Sequence, residues 1–189
     1  MLGVLIVIAI VAAFEAVHQF NALVGDNTKD ELSRYLDDNA HTNVRPGGAG
    51  FEIAFPVPPS NKTEAFSTGV GTVTARSRLV LVDDEITFEA AWFQWSGTPA
   101  NASQFLGALT NLQLLQLGGT AIGNSGTLKV GTALARTFAF VTVDHAGVKR
   151  YFDERIVLSG AHVWVLRVGS QVRRAAAFAR FVSTFQLTG

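Results

Sequence analysis

The sequence predicts an α+β domain, a mainly antiparallel sheet covered by helices, preceded by one N-terminal transmembrane helix. Three observations predict it. From Phe51 onwards the elements fall in the order strand, hairpin, helix, three-strand meander, helix, which builds an antiparallel sheet with helices laid on it. The later strands carry bulky side chains on both sides, Trp164 and Leu166 against Val163 and Val165, so both faces need cover. The chain also opens on Met1–Phe14, MLGVLIVIAIVAAF, a run with no charge, no proline and no polar side chain.

That run sets the expected surroundings of the domain. A spanning helix needs ~20 residues at ~1.5 Å each. Continuing through Ala16, Val17, Phe20, Leu23 and Val24 supplies the length, and Gly25-Asp26-Asn27 closes it. A cleaved signal peptide needs a basic residue ahead of its apolar core and a small-x-small exit. Here no Lys or Arg precedes the core, and Ala12-Ala13-Phe14-Glu15-Ala16 fits that exit poorly. The expectation is a retained anchor over residues 1–25. Glu15 and His18 fall within it as i,i+3 neighbours that can pair on one face. A carboxylate inside a span is a functional-site candidate; the plainer reading puts Glu15 at headgroup level or against a partner helix. The flank from Asp26 to Asp38 offers only Lys29 and Arg34 as basic residues. Such a flank is disfavoured on the cytoplasmic side, so the domain is expected outside the cytoplasmic membrane.

Residues 26–50 read as a short helix and a linker. Thr28 to Asp38 has acids in its first turn, with Leu32, Tyr35 and Leu36 on one side. Asn39 to Gly50, with Pro46 and the Gly47-Gly48 pair, reads as loop. The domain proper is expected over 51–189. Phe51–Phe55 alternates as a half-buried strand and ends at Pro56, Pro58 and Pro59. After a polar turn at Ser60–Glu64, Gly69–Val82 and Ile86–Trp95 form a hairpin around Asp83-Asp84-Glu85. Pro99 begins a helix that runs to about Leu117, with Phe105, Leu109 and Leu112 at helical spacing, and Gly118-Gly119 stops it. Gly119–Gly131 reads as a glycine-rich turn region. Ala135–Val143, Lys149–Leu158 and His162–Val168 then form a meander, because their connections are short. Gln171–Phe185 closes the chain as an amphipathic helix, Ala175, Phe178, Val182 and Phe185 marking one face.

Composition excludes several classes. With no cysteine there are no disulfides, Cys-based zinc sites or thiol catalysis. Lys+Arg and Asp+Glu each number 15, so the chain has no basic footprint for nucleic acid. The charged fraction of 16% lies below the usual ~25%, as a charge-free leader and doubly buried strands require.

The opening Phe51-Glu52-Ile53-Ala54-Phe55-Pro56, the later prolines and Gly71 leading into the hairpin resemble the start of Mog1/PsbP-like domains. The strand Val163–Val168, followed by a helix closing on Phe181-Val182-Ser183-Thr184-Phe185-Gln186-Leu187, resembles their end. The resemblance covers about Phe51–Leu187. It implies an α-β-α sandwich used as a binding or scaffold module, and no shared catalytic set. A span followed by such a domain is also similar in architecture to the actinobacterial trehalose monomycolate transport factors, which implies an accessory role in lipid transport or complex assembly, with no residue roles carried over.

Candidate chemistry is sparse. Asp83-Asp84-Glu85 lacks the alternating ligands of a calcium loop and reads as a solvated turn. Glu89 interrupts the apolar strand ITFEAAWFQW, and Arg76 and Arg78 on the neighbouring strand are its expected partners. His18, His41, His145 and His162 show no metal-ligand spacing, and only His162, entering a strand, is placed for partial burial. No serine sits in a nucleophile motif. GGTAIGNSGTLKVG lacks the phosphate-loop signatures and runs into a strand. Trp92, Phe93 and Trp95 are the strongest surface candidates, since they point to alternate faces of one strand. Any face left uncovered becomes a patch for a partner or lipid; cover on both faces makes them core. Arg173, Arg174 and Arg180 read as the solvated face of the last helix.

The expected function is a non-enzymatic, membrane-anchored extracytoplasmic accessory module of an envelope complex. Its expected partner is an integral-membrane or envelope protein first and lipid second, with no cofactor or metal. The competing readings are an extracytoplasmic enzyme using Glu89 or Asp153/Glu154 in a cleft, and a domain holding a hydrophobic ligand between sheet and helix.

Overall fold

The computed structural model of the protein describes residues 31–37, 41–68, 71–83 and 85–188. In chain order the elements are α1 (Glu31–Leu36), β1 (Thr42–Val44), β2 (Phe51–Phe55), β3 (Ser60–Thr68), β4 (Gly71–Val82) and β5 (Ile86–Gln94). Then come α2 (Ala102–Gln116), β6 (Thr120–Val130), β7 (Ala133–Val143), β8 (Lys149–Ser159), β9 (His162–Ser170), α3 (Ala175–Ser183) and β10 (Gln186–Leu187). Seven strands form one antiparallel sheet in the order β3-β4-β5-β9-β8-β7-β6. A second sheet of three short antiparallel strands has the order β1-β2-β10.

The β5–β9 pairing joins the two halves of the large sheet. Phe88 lies opposite Val168, Ala90 opposite Leu166 and Trp92 opposite Trp164. Successive side chains alternate between faces, and each face has its own core. On one, Phe88, Trp92, Trp164 and Leu166 meet Phe51, Ile53 and Phe55 of β2 and Phe178 and Phe181 of α3. On the other, Phe93, Phe138, Phe140, Phe152 and Val165 meet Leu106 and Leu109 of α2. The layering is helix, sheet, helix. A hydrophobic ligand between α2 and the sheet would have to displace this packed cluster.

The helices form for local reasons. Asn101 caps α2, its side chain accepting the Gln104 N–H at 3.0 Å. In α3, buried Ala177, Phe178, Phe181 and Val182 recur at helical spacing, which aims one stripe at the sheet. The Phe181 ring stands edge-on to Phe55 at 5.1 Å and to Phe88 at 5.4 Å. Past the helix end, the Thr184 hydroxyl accepts the Ala54 N–H at 3.1 Å, tying α3 to β2.

Several segments differ from the sequence reading: Gln171–Phe185, expected as one helix, is helical only over Ala175–Ser183, and Gln186–Leu187 adds a short strand. Ser60–Glu64, expected as a turn, begins the edge strand β3, and Gly119–Gly131, expected as turns, contains the opposite edge strand β6. Edge strands pair on one side only and tolerate polar, glycine-bearing sequences; β6 also shifts register between Ile122 and Gly126. The segment written as helix and linker packs onto the domain. β1 pairs with β2 there, and Tyr35 is fully buried with its hydroxyl donating to the Ala54 carbonyl at 2.9 Å. No described helix is long and apolar enough to cross a membrane. The expected anchor at 1–25, with Glu15 and His18, lies outside the described residues.

Candidate functional site

Glu89, Arg167 and Glu154 stand side by side in register across β5, β9 and β8. Strand alternation points all three at α2, and all are buried. Arg167 Nε donates to Glu154 Oε2 at 2.7 Å, and its Nη1 donates to Glu89 Oε2 at 3.4 Å. Gln113 of α2 donates to Glu154 Oε2 from above at 3.5 Å. Arg167 Nη2 and Glu154 Oε1 find no partner among the described residues. Burial pushes the Glu154 carboxyl above its ordinary pKa, and this outweighs the pull of Arg167 and Gln113. Burial draws the Arg167 guanidinium down, but the two carboxylates outweigh it and hold it charged. A carboxylate pair bridged by one cation has the elements of acid–base chemistry, yet here it is closed off under a helix.

The partner expected for Glu89 is corrected by this geometry. Arg76 and Arg78 face the other side of the sheet, because the residue opposite Glu89 on β4 is Leu79. Arg78 lies over the Trp92 ring, 5.4 Å from its centre. Asp153, next to Glu154, also points away from the cluster. Arg173 Nε and Nη2 donate to its Oδ1 at 3.1 and 2.6 Å. Arg180 lies over the Tyr35 ring. The sequence reading missed Arg167 and Gln113. Arg167 did leave a signal: it breaks the run HVWVLRVGS as Glu89 breaks its own strand.

The aromatic candidates divide between the two cores. Trp92 is 8% exposed and Phe93 4% exposed, on opposite faces, so neither contributes to an open patch. Trp95 is half-buried against Phe105, ring centres 5.3 Å apart. The remaining histidines, His41, His145 and His162, are exposed. Among the described residues no group of side chains has the makings of a metal site.

An open groove of about 300 Å³ lies at the opposite end of the sheet from the β4–β5 turn. The Gly48-Ala49-Gly50 turn, Thr132, Ser159, His162 and Trp164 line it. Gly50 sits at φ 70°, a conformation glycine adopts freely. Trp164 donates its indole N–H to the Ala49 carbonyl at 2.8 Å, which fixes the rim, and His162 stacks on the Trp164 ring at 5.9 Å. His162 is the one titratable side chain in this lining. The Thr188 N–H closes the rim by donating to the Gly50 carbonyl at 2.9 Å.

No family model matches the chain, and no curated protein sequence matches it significantly. Solved structures do match. Cyanobacterial PsbP (CyanoP) from Synechocystis sp. PCC 6803 superposes with a TM-score of 0.55 at 12% identity, over 78% of this chain and 92% of that one. A Bacteroides thetaiotaomicron protein gives a TM-score of 0.46 at 13% identity, over 78% and 48%. LpqN, involved in cell envelope biogenesis of Mycobacterium tuberculosis, gives 0.44 at 15%, over 83% and 96%. The domain has the Mog1/PsbP-like fold.

Proposed function

We propose that the chain is a non-catalytic binding module, an accessory subunit tethered through residues 1–25 to the outer side of a cytoplasmic membrane. One observation carries the reading: the open groove is lined by backbone, hydroxyls, Leu187 and a His162–Trp164 stack, a mainly apolar surface with a single titratable side chain. At about 300 Å³ it lies at the small end of ligand sites, which run from ~300 to 1,000 Å³. The acids that an enzyme would need are committed elsewhere, Glu89 and Glu154 to Arg167 and Asp153 to Arg173. A rim of backbone and hydroxyl groups suits a protein segment of an envelope partner better than a charged metabolite.

The test is purification of the full-length protein in mild detergent, as wild type and as His162→Ala. A stoichiometric integral-membrane companion that His162→Ala loses, with its circular dichroism unchanged, is the expected result. Recovery of the protein alone, with turnover on a screened substrate class, would overturn it.

A further inference from the structure

We propose that the end of the sheet formed by the β7–β8 turn and the β9–α3 connection docks on the lipid surface. The proposal rests on the tethered reading above and adds which face of the domain meets the bilayer. Val143 lies opposite Lys149 at the ends of β7 and β8. Tyr151 lies opposite Ser170, so Gln171 and Val172 leave β9 beside Arg150 and Lys149. Val143 is 57% exposed, Val148 36% and Val172 62%. Apolar side chains thus crown neighbouring strand ends.

The charges around them suit headgroups. Lys149, Arg150 and Arg174 flank the valines along the chain. Two acids stand among them, each with a fixed partner. Asp144 Oδ1 accepts the N–H groups of Ala146 and Val148, each at 2.9 Å, and Asp153 is held by Arg173. Asp83 and Glu85 belong to the β4–β5 turn, which lies at the same end of the sheet, one strand beyond β9. Exposed apolar tips beside basic side chains are the chemistry of an interfacial anchor. The tips are also held rigid, since Asp144 pins the first turn and the Ser170 hydroxyl donates to the Val172 carbonyl.

Chain length selects the occupant. Tyr35 of α1 packs edge-on against Phe88 at 5.6 Å, and Phe88 lies opposite Val168, two residues from the end of β9. α1 therefore sits towards this end of the sheet. From Gly25 to Glu31 the backbone can reach at most about 20 Å. A span ending at Gly25 keeps this end near the headgroups, while the groove lies a strand length further out, roughly 25–30 Å.

The chain has no cysteine, so single-site labels report cleanly. Full-length Val143→Cys, Val172→Cys, His162→Cys and Ala9→Cys, each carrying an environment-sensitive fluorophore, would be reconstituted into phosphatidylcholine vesicles with and without phosphatidylglycerol. A lipid-borne nitroxide then serves as quencher. The expected result is quenching at positions 143, 172 and 9 well above position 162, strengthened by phosphatidylglycerol. Adding Lys149→Gln to the Val172 reporter should lower its docked-to-undocked ratio roughly fivefold in the anionic vesicles. Quenching at 9 alone, with 143 and 172 no higher than 162, overturns the docking face and leaves the tether standing. Absence of quenching at position 9 as well overturns the tether and the docking face together.

Discussion

Trp92 and Trp164 stand directly opposite each other across β5 and β9, at the seam where the two halves of the large sheet meet. Trp92 is edge-on to Phe51 at 5.4 Å, and Trp164 is edge-on to Phe185 at 6.4 Å while its indole N–H holds the Ala49 carbonyl. One cross-strand pair thus braces the small sheet, the end of α3 and the groove rim together.

Trp164→Phe keeps the aromatic face but removes the N–H donor, leaving the Ala49 carbonyl without that partner. The expected cost is about 1–2 kcal/mol in urea unfolding. Amide exchange should quicken around Gly48–Gly50 before it does elsewhere. Uniform quickening across the sheet would mean that the rim depends on something other than this bond.

Arg167→Met strands two carboxylates under α2 without their cation. Breaking a buried ionic group by removing one member costs about 3–5 kcal/mol, whereas replacing all members by apolar groups is often neutral or better. The triple variant Glu89→Leu/Arg167→Met/Glu154→Leu should therefore recover most of the loss, read as the urea midpoint. If the single variant is as stable as wild type, the cluster is not closed as described.

Glu154 makes stability pH-dependent with a definite sign. Its folded pKa is raised above the ordinary 4.5 by burial, so the folded state keeps its proton where the unfolded chain has released it. The contribution is complete below pH 4.5 and is lost as pH climbs through the raised value. Glu154→Gln should flatten that decline, measured as the difference in unfolding free energy across the window.

Tyr35→Phe removes a hydrogen bond made in a fully buried place to the Ala54 carbonyl. A loss of about 1–2 kcal/mol is expected. The same variant reports whether α1 unfolds with the sheet: a single shared transition in fluorescence and circular dichroism is the expected outcome.

Gly169→Ala tests a close approach between β8 and β9. A Cβ there would stand 2.5 Å from the Phe152 ring and 2.9 Å from the Thr87 hydroxyl oxygen. Overpacking of this kind costs about 1–3 kcal/mol, and Phe152→Leu in the same chain should relieve part of it.

What the sequence disclosed depended on how much each residue's surroundings constrained it. The β7–β9 meander was legible because Ser159-Gly160 and Asp144–Gly147 mark tight turns between strands buried on both faces. The helices were legible because Phe178 and Leu109 recur with their neighbours at helical spacing. β3 and β6 were not, since a strand with one free edge need not alternate, and SNKTEAFST and TAIGNSGTLKV carry the polar residues of a turn. The partner of Glu89 was missed for a different reason. A local pattern offers Arg76 and Arg78, but face alternation sends them away, and Arg167 arrives from 78 residues along the chain. The orientation of Trp92 and Phe93 was readable from the period of two; that both would be covered depended on packing from β2, α3 and α2.

Phe51 and Leu187 face each other in the β2–β10 pairing, which leaves nearly the whole domain as the loop between them. A nascent chain can zip its hairpin and its meander as each emerges, but the aromatic layer over one side stays open until the final residues arrive. Completion is therefore governed by the tail, and cutting the chain back by only the last few positions should leave a body whose strands are formed and whose lid never latches.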